Sequence, residues 1–145
     1  MARVSATSTV LVNAAPDAVL AAVADYQKVR PEILTDNYSN YRVLSGGEGA
    51  GTVAAWKLQA TKSRSREVEA RVDVAGKTVI EKDANSTMVT NWTVAPAGTG
   101  STVTVKTAWQ GAGGIGGFFE KTFAPLGLRK IQDEVLGNLK KVVEG

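Results

Sequence analysis

The run Leu128-Arg129-Lys130-Ile131-Gln132-Asp133-Glu134-Val135-Leu136-Gly137-Asn138-Leu139-Lys140-Lys141-Val142-Val143 decides the fold of this chain. Leu128, Ile131, Val135, Leu139 and Val142 recur at spacings of three and four, which on a helix makes one apolar stripe. Arg129, Lys130, Asp133, Lys140 and Lys141 fall largely off that stripe. Extended back to Pro125, the helix spans about 28 Å at roughly 1.5 Å per residue, too long a stripe for a loop to cover. It needs a sheet to lie against. Just before it comes a glycine-rich run (Gly111, Gly113, Gly114, Gly116, Gly117), then Phe118, Phe119 and Phe123, then Pro125 and Gly127. The run lacks the Lys-Ser/Thr of a P-loop, so it reads as a hinge that lets the start of the helix stand away from its neighbours.

The preceding chain supplies the sheet. Residues 4–12 alternate and are rich in β-branched side chains, a first strand. At Pro16-Asp17 the pattern changes to helical spacing through Val19, Leu20 and Val23, a short helix ending near Asp25. Residues 26–34 read as a second short helix, interrupted at Arg30-Pro31 because the residue before proline is pushed out of the helical region. Six further strands are expected at 38–44, 52–61, 66–75, 78–82, 88–94 and 102–109, separated by Gly-, Asn- and Ser-rich turns. The clearest is 66–75, where Val68, Ala70, Val72 and Val74 alternate with Glu67, Glu69, Arg71 and Asp73. Connections this short imply antiparallel neighbours. The expected fold is therefore α+β: a strand, two short helices, six strands and a long helix, with a curved seven-stranded antiparallel sheet wrapped around that helix.

Composition narrows the chemistry. The chain has 145 residues, enough for one domain spanning 1–145 with a proper core. It contains no cysteine and no histidine, which excludes disulfides, thiolate catalysis, Cys or His metal ligands and a histidine base. No metal or cofactor is expected. The net charge of +3 arises from 17 cations against 14 anions, too slight an excess to imply nucleic acid. The densest basic cluster, Lys62-Ser63-Arg64-Ser65-Arg66, is followed at once by Glu67 and Glu69 and has no interleaved aromatic. No apolar run is long enough to span a bilayer and no apolar signal core opens the chain, so a cytoplasmic protein without stable membrane insertion is expected, as a monomer or weak homodimer.

The inward faces of the expected strands mix large side chains (Trp56, Leu58, Met88, Trp92, Trp109) with small or polar ones (Ala54, Ala60, Ala70, Thr90, Thr107). Such a mixture suits a pocket between sheet and helix as well as a closed core. Thr90 and Thr107 fall at inward parity, where a ligand oxygen, a water or a backbone carbonyl must satisfy each hydroxyl. Trp56, Leu58, Thr90, Trp92, Thr107, Trp109, Phe119 and Phe123 are the expected lining, with Glu32 at the rim as an ionisable contact and Arg64 or Arg66 as further suspects. Tyr26, Tyr38 and Tyr41 read as packing residues at strand and helix ends, with phenolic donors at a pocket mouth as the alternative.

The order of elements, together with Val12-Asn13-Ala14-Ala15-Pro16-Asp17-Ala18-Val19, the step from Asp25-Tyr26 into Arg30-Pro31-Glu32 and the glycine loop before the last helix, resembles the START-like or Bet v 1-like helix-grip superfamily. More narrowly, Gly46-Gly47-Glu48-Gly49-Ala50-Gly51-Thr52, Trp92-Thr93-Val94 and Trp109-Gln110-Gly111-Ala112-Gly113-Gly114 resemble actinobacterial proteins of the polyketide cyclase/dehydrase or SRPBCC type. The resemblance implies an elongated apolar cavity between sheet and helix and no fixed catalytic motif. Two functions follow as expectations: a carrier or sensor of a small hydrophobic molecule (lipid, isoprenoid or polyketide-like), or a polyketide cyclase/dehydratase acting in the same cavity. A third is a protein-interaction module with a collapsed cavity.

Overall fold

The computed structural model describes residues 3–61, 64–110 and 124–145. Within them the elements run β1 (Arg3–Val12), α1 (Pro16–Val23), α2 (Val29–Ile33), β2 (Tyr38–Ser45), β3 (Val53–Thr61), β4 (Arg64–Ala75), β5 (Thr78–Asp83), β6 (Val89–Ala97), β7 (Gly100–Gln110) and α3 (Ala124–Glu144). The glycine-rich run 111–117, with Phe118, Phe119 and Phe123, lies outside the described residues. No helix among those described is long and apolar enough to cross a membrane.

The strands form one antiparallel sheet in the order β1-β7-β6-β5-β4-β3-β2. From β2 to β7 each strand pairs with its neighbour in sequence, as short turns require. The β6–β7 hairpin closes through Gly98-Thr99, with Ala97 opposite Gly100 and Gly98 at φ +58, a backbone geometry that glycine adopts without steric cost. β1 breaks the sequential order. It pairs with β7 from Arg3 opposite Gln110 to Val12 opposite Ser101, bringing the first strand beside the last. The alternation read from β4 is realised, with Val68, Ala70 and Val72 buried and Arg71 and Asp73 exposed.

α3 lies along β1 and meets α1 and α2. Its buried side is Leu128, Ile131, Gln132, Val135, Leu136 and Leu139, the expected stripe widened by Leu136 and interrupted by one amide. Asn138 Nδ2 donates to the Ile33 carbonyl at 3.1 Å, tying α3 to the end of α2.

The helical hairpin differs from its expected form. The chain leaves the helix after Val23, and the Asp25 carboxylate accepts from the Gln27 and Lys28 amides at 3.1 and 2.9 Å, an Asx-type turn that replaces a helical start. α2 begins only at Val29, so Pro31 is its third residue rather than an interior break. An N–H at that position has no intrahelical acceptor in any case, which is why the proline is accommodated.

β1 and β7 meet closely where their pairing begins. A Cβ built on Gly100 falls 2.5 Å from the Val12 carbonyl oxygen, a backbone atom held by the sheet. Gly100→Ala is expected to destabilise the fold by about 1–3 kcal/mol, read as a lower urea midpoint at unchanged slope. An unchanged midpoint would show that this corner of the sheet yields freely.

Candidate functional site

Glu81 shares the inward parity of Val79 on β5, so the strand that buries valine also buries a carboxylate, 6% exposed. A lone charge there is untenable. α2 supplies the partner: Arg30, 2% exposed, places Nη1 2.6 Å from Glu81 Oε2 and donates from Nη2 to the Val23 carbonyl at 3.2 Å. The Tyr26 hydroxyl donates to the same Glu81 oxygen at 2.5 Å. The guanidinium carbon lies 4.2 Å from the Tyr26 ring centroid and 4.7 Å from that of Trp92, so two aromatic rings contact one cation.

The surrounding loops position this group. The Tyr26 amide donates to the Gly47 carbonyl at 2.9 Å and the Gly49 amide to the Ala24 carbonyl at 3.0 Å, stitching the α1–α2 turn to the β2–β3 loop. The Tyr41 hydroxyl donates to the Tyr26 carbonyl at 2.5 Å, and its ring stacks on Trp56 at 6.0 Å between centroids. Burial raises the pKa of Tyr26 far above the usual phenolic value, with the Arg30 charge only partly opposing it. Burial raises Tyr38 likewise, and it pushes Tyr41 up to about 12 against the opposing Arg30 charge. All three phenols are neutral at ordinary pH.

Beside this network is a cavity of about 50 Å³ between the sheet and α3. Trp56, Leu58, Met88, Trp92 and Val105 form its sheet side, Leu128 and Val135 its helix side, and Arg30, Leu34, Tyr38 and Glu81 also border it. Its polar wall is Thr90, Thr107 and Gln132. Thr90 and Thr107 hydroxyls bond each other at 2.9 Å, Gln132 Nε2 donates to Thr107 Oγ1 at 3.3 Å and to the Ala6 carbonyl at 3.1 Å, and Ser8 donates to Gln132 Oε1 at 3.1 Å. The two threonines therefore satisfy one another across β6 and β7, where a ligand, a water or a carbonyl had been the expected partner of each. The space is smaller than the roughly 150 Å³ cavity that admits benzene, so a ring-sized ligand enters only if side chains such as the flexible Met88 give way.

Of the residues expected from sequence, Trp56, Leu58, Thr90, Trp92 and Thr107 border this cavity. Trp109 does not; it is buried in the core on β7, opposite Val4. Glu32 is exposed on α2, because two residues beyond Arg30 is about 200° around a helix, and it plays no part in the lining. Phe119 and Phe123 lie outside the described residues. Arg30, Glu81 and Gln132 are the residues sequence reading missed. Glu81 was legible as the charge at inward parity in β5, and Gln132 as the polar residue four on from Leu128. Nothing in the sequence pairs Arg30 with Glu81, since 51 residues separate them.

An antiparallel sheet curved around a long C-terminal helix, with two short helices after the first strand, is the helix-grip fold of the START-like or Bet v 1-like superfamily. The family model described as polyketide cyclase / dehydrase and lipid transport matches residues 3–144, and the chain belongs to that family. Among solved structures it is similar to the KanY protein (ms6282), at 75% identity over 100% of both chains with a TM-score of 0.91. It is also similar in fold to TTHA0849 from Thermus thermophilus, at 14% identity over 97% of each chain with a TM-score of 0.75. A third likeness in fold is to the di-domain ARO/CYC BexL of the BE-7585A biosynthetic pathway, at 18% identity over 99% of this chain and 50% of that one, TM-score 0.74. No protein of curated function matches the sequence.

Two outcomes are expected of the buried network. Glu81→Gln or Arg30→Met alone should cost about 3–5 kcal/mol in urea denaturation, because each strands a buried charge, whereas the double variant should cost far less than the sum. Additive losses would mean that the two groups do not act as a pair. Tyrosinate absorbance should not appear near pH 10 while the chain is folded. Folded phenols hold their protons more tightly than unfolded ones, so their stabilisation is complete below pH 10.0 and is lost as pH rises through the folded values, about 12 for Tyr41. A native-state titration near pH 10, monitored with circular dichroism to verify folding, would contradict this burial.

Proposed function

We propose that the protein binds a small hydrophobic molecule, a lipid, isoprenoid or polyketide-like compound, in the cavity between sheet and α3, and acts as its carrier or sensor. The carrying observation is the composition of that cavity: tryptophan, leucine, methionine and valine walls with a compact polar wall at Thr90, Thr107 and Gln132 and the Arg30–Glu81 pair alongside. Apolar walls supply affinity and a few placed polar groups supply orientation. Membership in a family described by polyketide cyclisation, dehydration and lipid transport supports a ligand of this class.

A cyclase or dehydratase acting in the same space is the second reading, favoured by Tyr26, Glu81 and Arg30 meeting at the cavity wall. Glu81 Oε2 already accepts from both Arg30 and Tyr26, an arrangement better suited to orienting a ligand than to abstracting a proton. Binding without turnover is therefore preferred.

The test is native mass spectrometry of the protein purified from its own host, followed by denaturation and identification of what is released. A stoichiometric apolar compound is the expected result. Leu58→Trp, which fills the cavity from β3, should abolish that mass increment while leaving a folded protein weakened by about 1–3 kcal/mol. A filled cavity that still carries the compound would place binding elsewhere. Release of a cyclised or dehydrated product from a supplied linear polyketide would instead favour the enzyme.

A further inference from the structure

We propose that the cavity selects ligands bearing a neutral acceptor oxygen, a carbonyl above all, and that Arg30 Nε–H and Trp92 Nε1–H are the donors that receive it. The proposal rests on the ligand-binding reading above and narrows its substrate class. Both side chains border the cavity, Arg30 is 2% and Trp92 5% exposed, and neither of these two N–H groups has an acceptor among the described residues. Buried polar groups left unpaired are rare, and two donors beside one small cavity mark a place where an acceptor from outside the chain belongs.

Most other polar groups of the wall are engaged; Glu81 Oε1 and the Tyr38 hydroxyl are the exceptions among the described residues. Glu81 Oε2 accepts from Arg30 and Tyr26, Thr90 and Thr107 bond each other, and the side-chain amide of Gln132 is engaged at its oxygen by Ser8 and at its nitrogen by Ala6 and Thr107. Arg30 is also held rigidly: Nη1 and Nη2 are committed to Glu81 and the Val23 carbonyl, and the rings of Tyr26 and Trp92 lie against the guanidinium. In a planar guanidinium clamped in this way the direction of Nε–H is set in advance. Both of these buried N–H groups are donors, so a ligand that satisfies them must bring an acceptor, and a carbonyl oxygen has the two lone pairs needed for both.

Charge decides which acceptor. The Arg30 cation is already balanced by Glu81 at 2.6 Å, with side chains 3% and 7% exposed. Tyr26, Tyr38 and Tyr41, the titratable groups that face the pair, stay neutral because burial raises their pKa values. A carboxylate or phosphate seated here would leave an uncompensated negative charge next to Glu81 in a buried space, which is strongly disfavoured. A hydrocarbon would leave both donors unmade. Ketone, ester or quinone oxygens avoid both penalties, so free fatty acids and phosphate head groups are rejected at this wall.

The test uses two size-matched trios: butanone, 2-methylbut-1-ene and propanoate, and acetophenone, α-methylstyrene and benzoate. Each is titrated into the ¹⁵N-labelled full chain while the indole Nε1–H and arginine Nε–H signals are followed, with Trp92→Phe identifying the Trp92 signal among those of Trp56 and Trp109. In at least one trio the ketone should bind at least about tenfold more tightly than its alkene isostere. It should shift the Trp92 indole and Arg30 Nε signals, while the carboxylate should not bind. Because replacing Arg30 also strands Glu81, Trp92→Phe serves as the functional variant, and it should lose most of the preference for ketone over alkene. Equal binding of ketone and alkene, or tighter binding of the carboxylate, overturns the proposal and leaves the hydrophobic-ligand reading standing. A preference for ketone that survives Trp92→Phe overturns the assignment of Trp92 as a donor. Absence of binding by every probe overturns both readings.

Discussion

The Arg30–Glu81 pair constrains the arrangement of much of this molecule. A carboxylate at the buried parity of β5 and a guanidinium on a five-residue helix are each prohibitive alone, and each is tolerable only against the other. Their contact requires α2 to lie within one arginine side chain's reach of β5. It also requires the turn before α2 to deliver Tyr26 to the same carboxylate oxygen, which the Asp25 turn and the bonds to the Gly47 loop accomplish. Polar groups buried in this way specify an arrangement more sharply than apolar packing does, because displaced partners have nothing to replace what they lose.

A second polar contact does for α3 what the ion pair does for α2. Gln132 lies within the apolar stripe and reaches Ser8 and the Ala6 carbonyl on β1 and Thr107 on β7. An apolar stripe alone permits a helix to slide along a sheet, whereas an amide with three buried partners fixes both its rotation and its height. With α3 held there, Leu128 and Val135 face Trp56 and Leu58 across the cavity, and the space that remains is small. Its character follows from what bounds it: apolar walls, a self-satisfied threonine pair and a charge-balanced cation with one N–H left over.

The legibility of the site follows the range of the interactions that make it. Trp56, Leu58, Thr90, Trp92 and Thr107 were readable because strand parity is a local property, and every second residue of a half-buried strand must share a face. Trp109 obeys the same parity yet packs in the core, because parity says which face a residue occupies and not what stands opposite it. The place of Glu32 near the hairpin suggests an ionisable contact, but the delayed start of α2 turns Arg30 inward and leaves Glu32 in solvent. The mutual satisfaction of Thr90 and Thr107 required the register of β6 on β7.

By itself the sequence determined the elements and their order: alternation in β4, the turns at Gly76 and Gly98, and the three- and four-residue spacing of the last helix are short-range patterns that physical chemistry reads directly. It also determined that any chemistry proceeds without histidine or cysteine. Only the tertiary structure decided that β1 closes beside β7, that α3 rests on β1 through Gln132, and that Arg30 meets Glu81 under the ring of Trp92. These contacts join residues from 51 to 126 positions apart. No local pattern selects such partners; they are chosen by the cost of leaving a buried charge or amide without its complement once the apolar faces have come together.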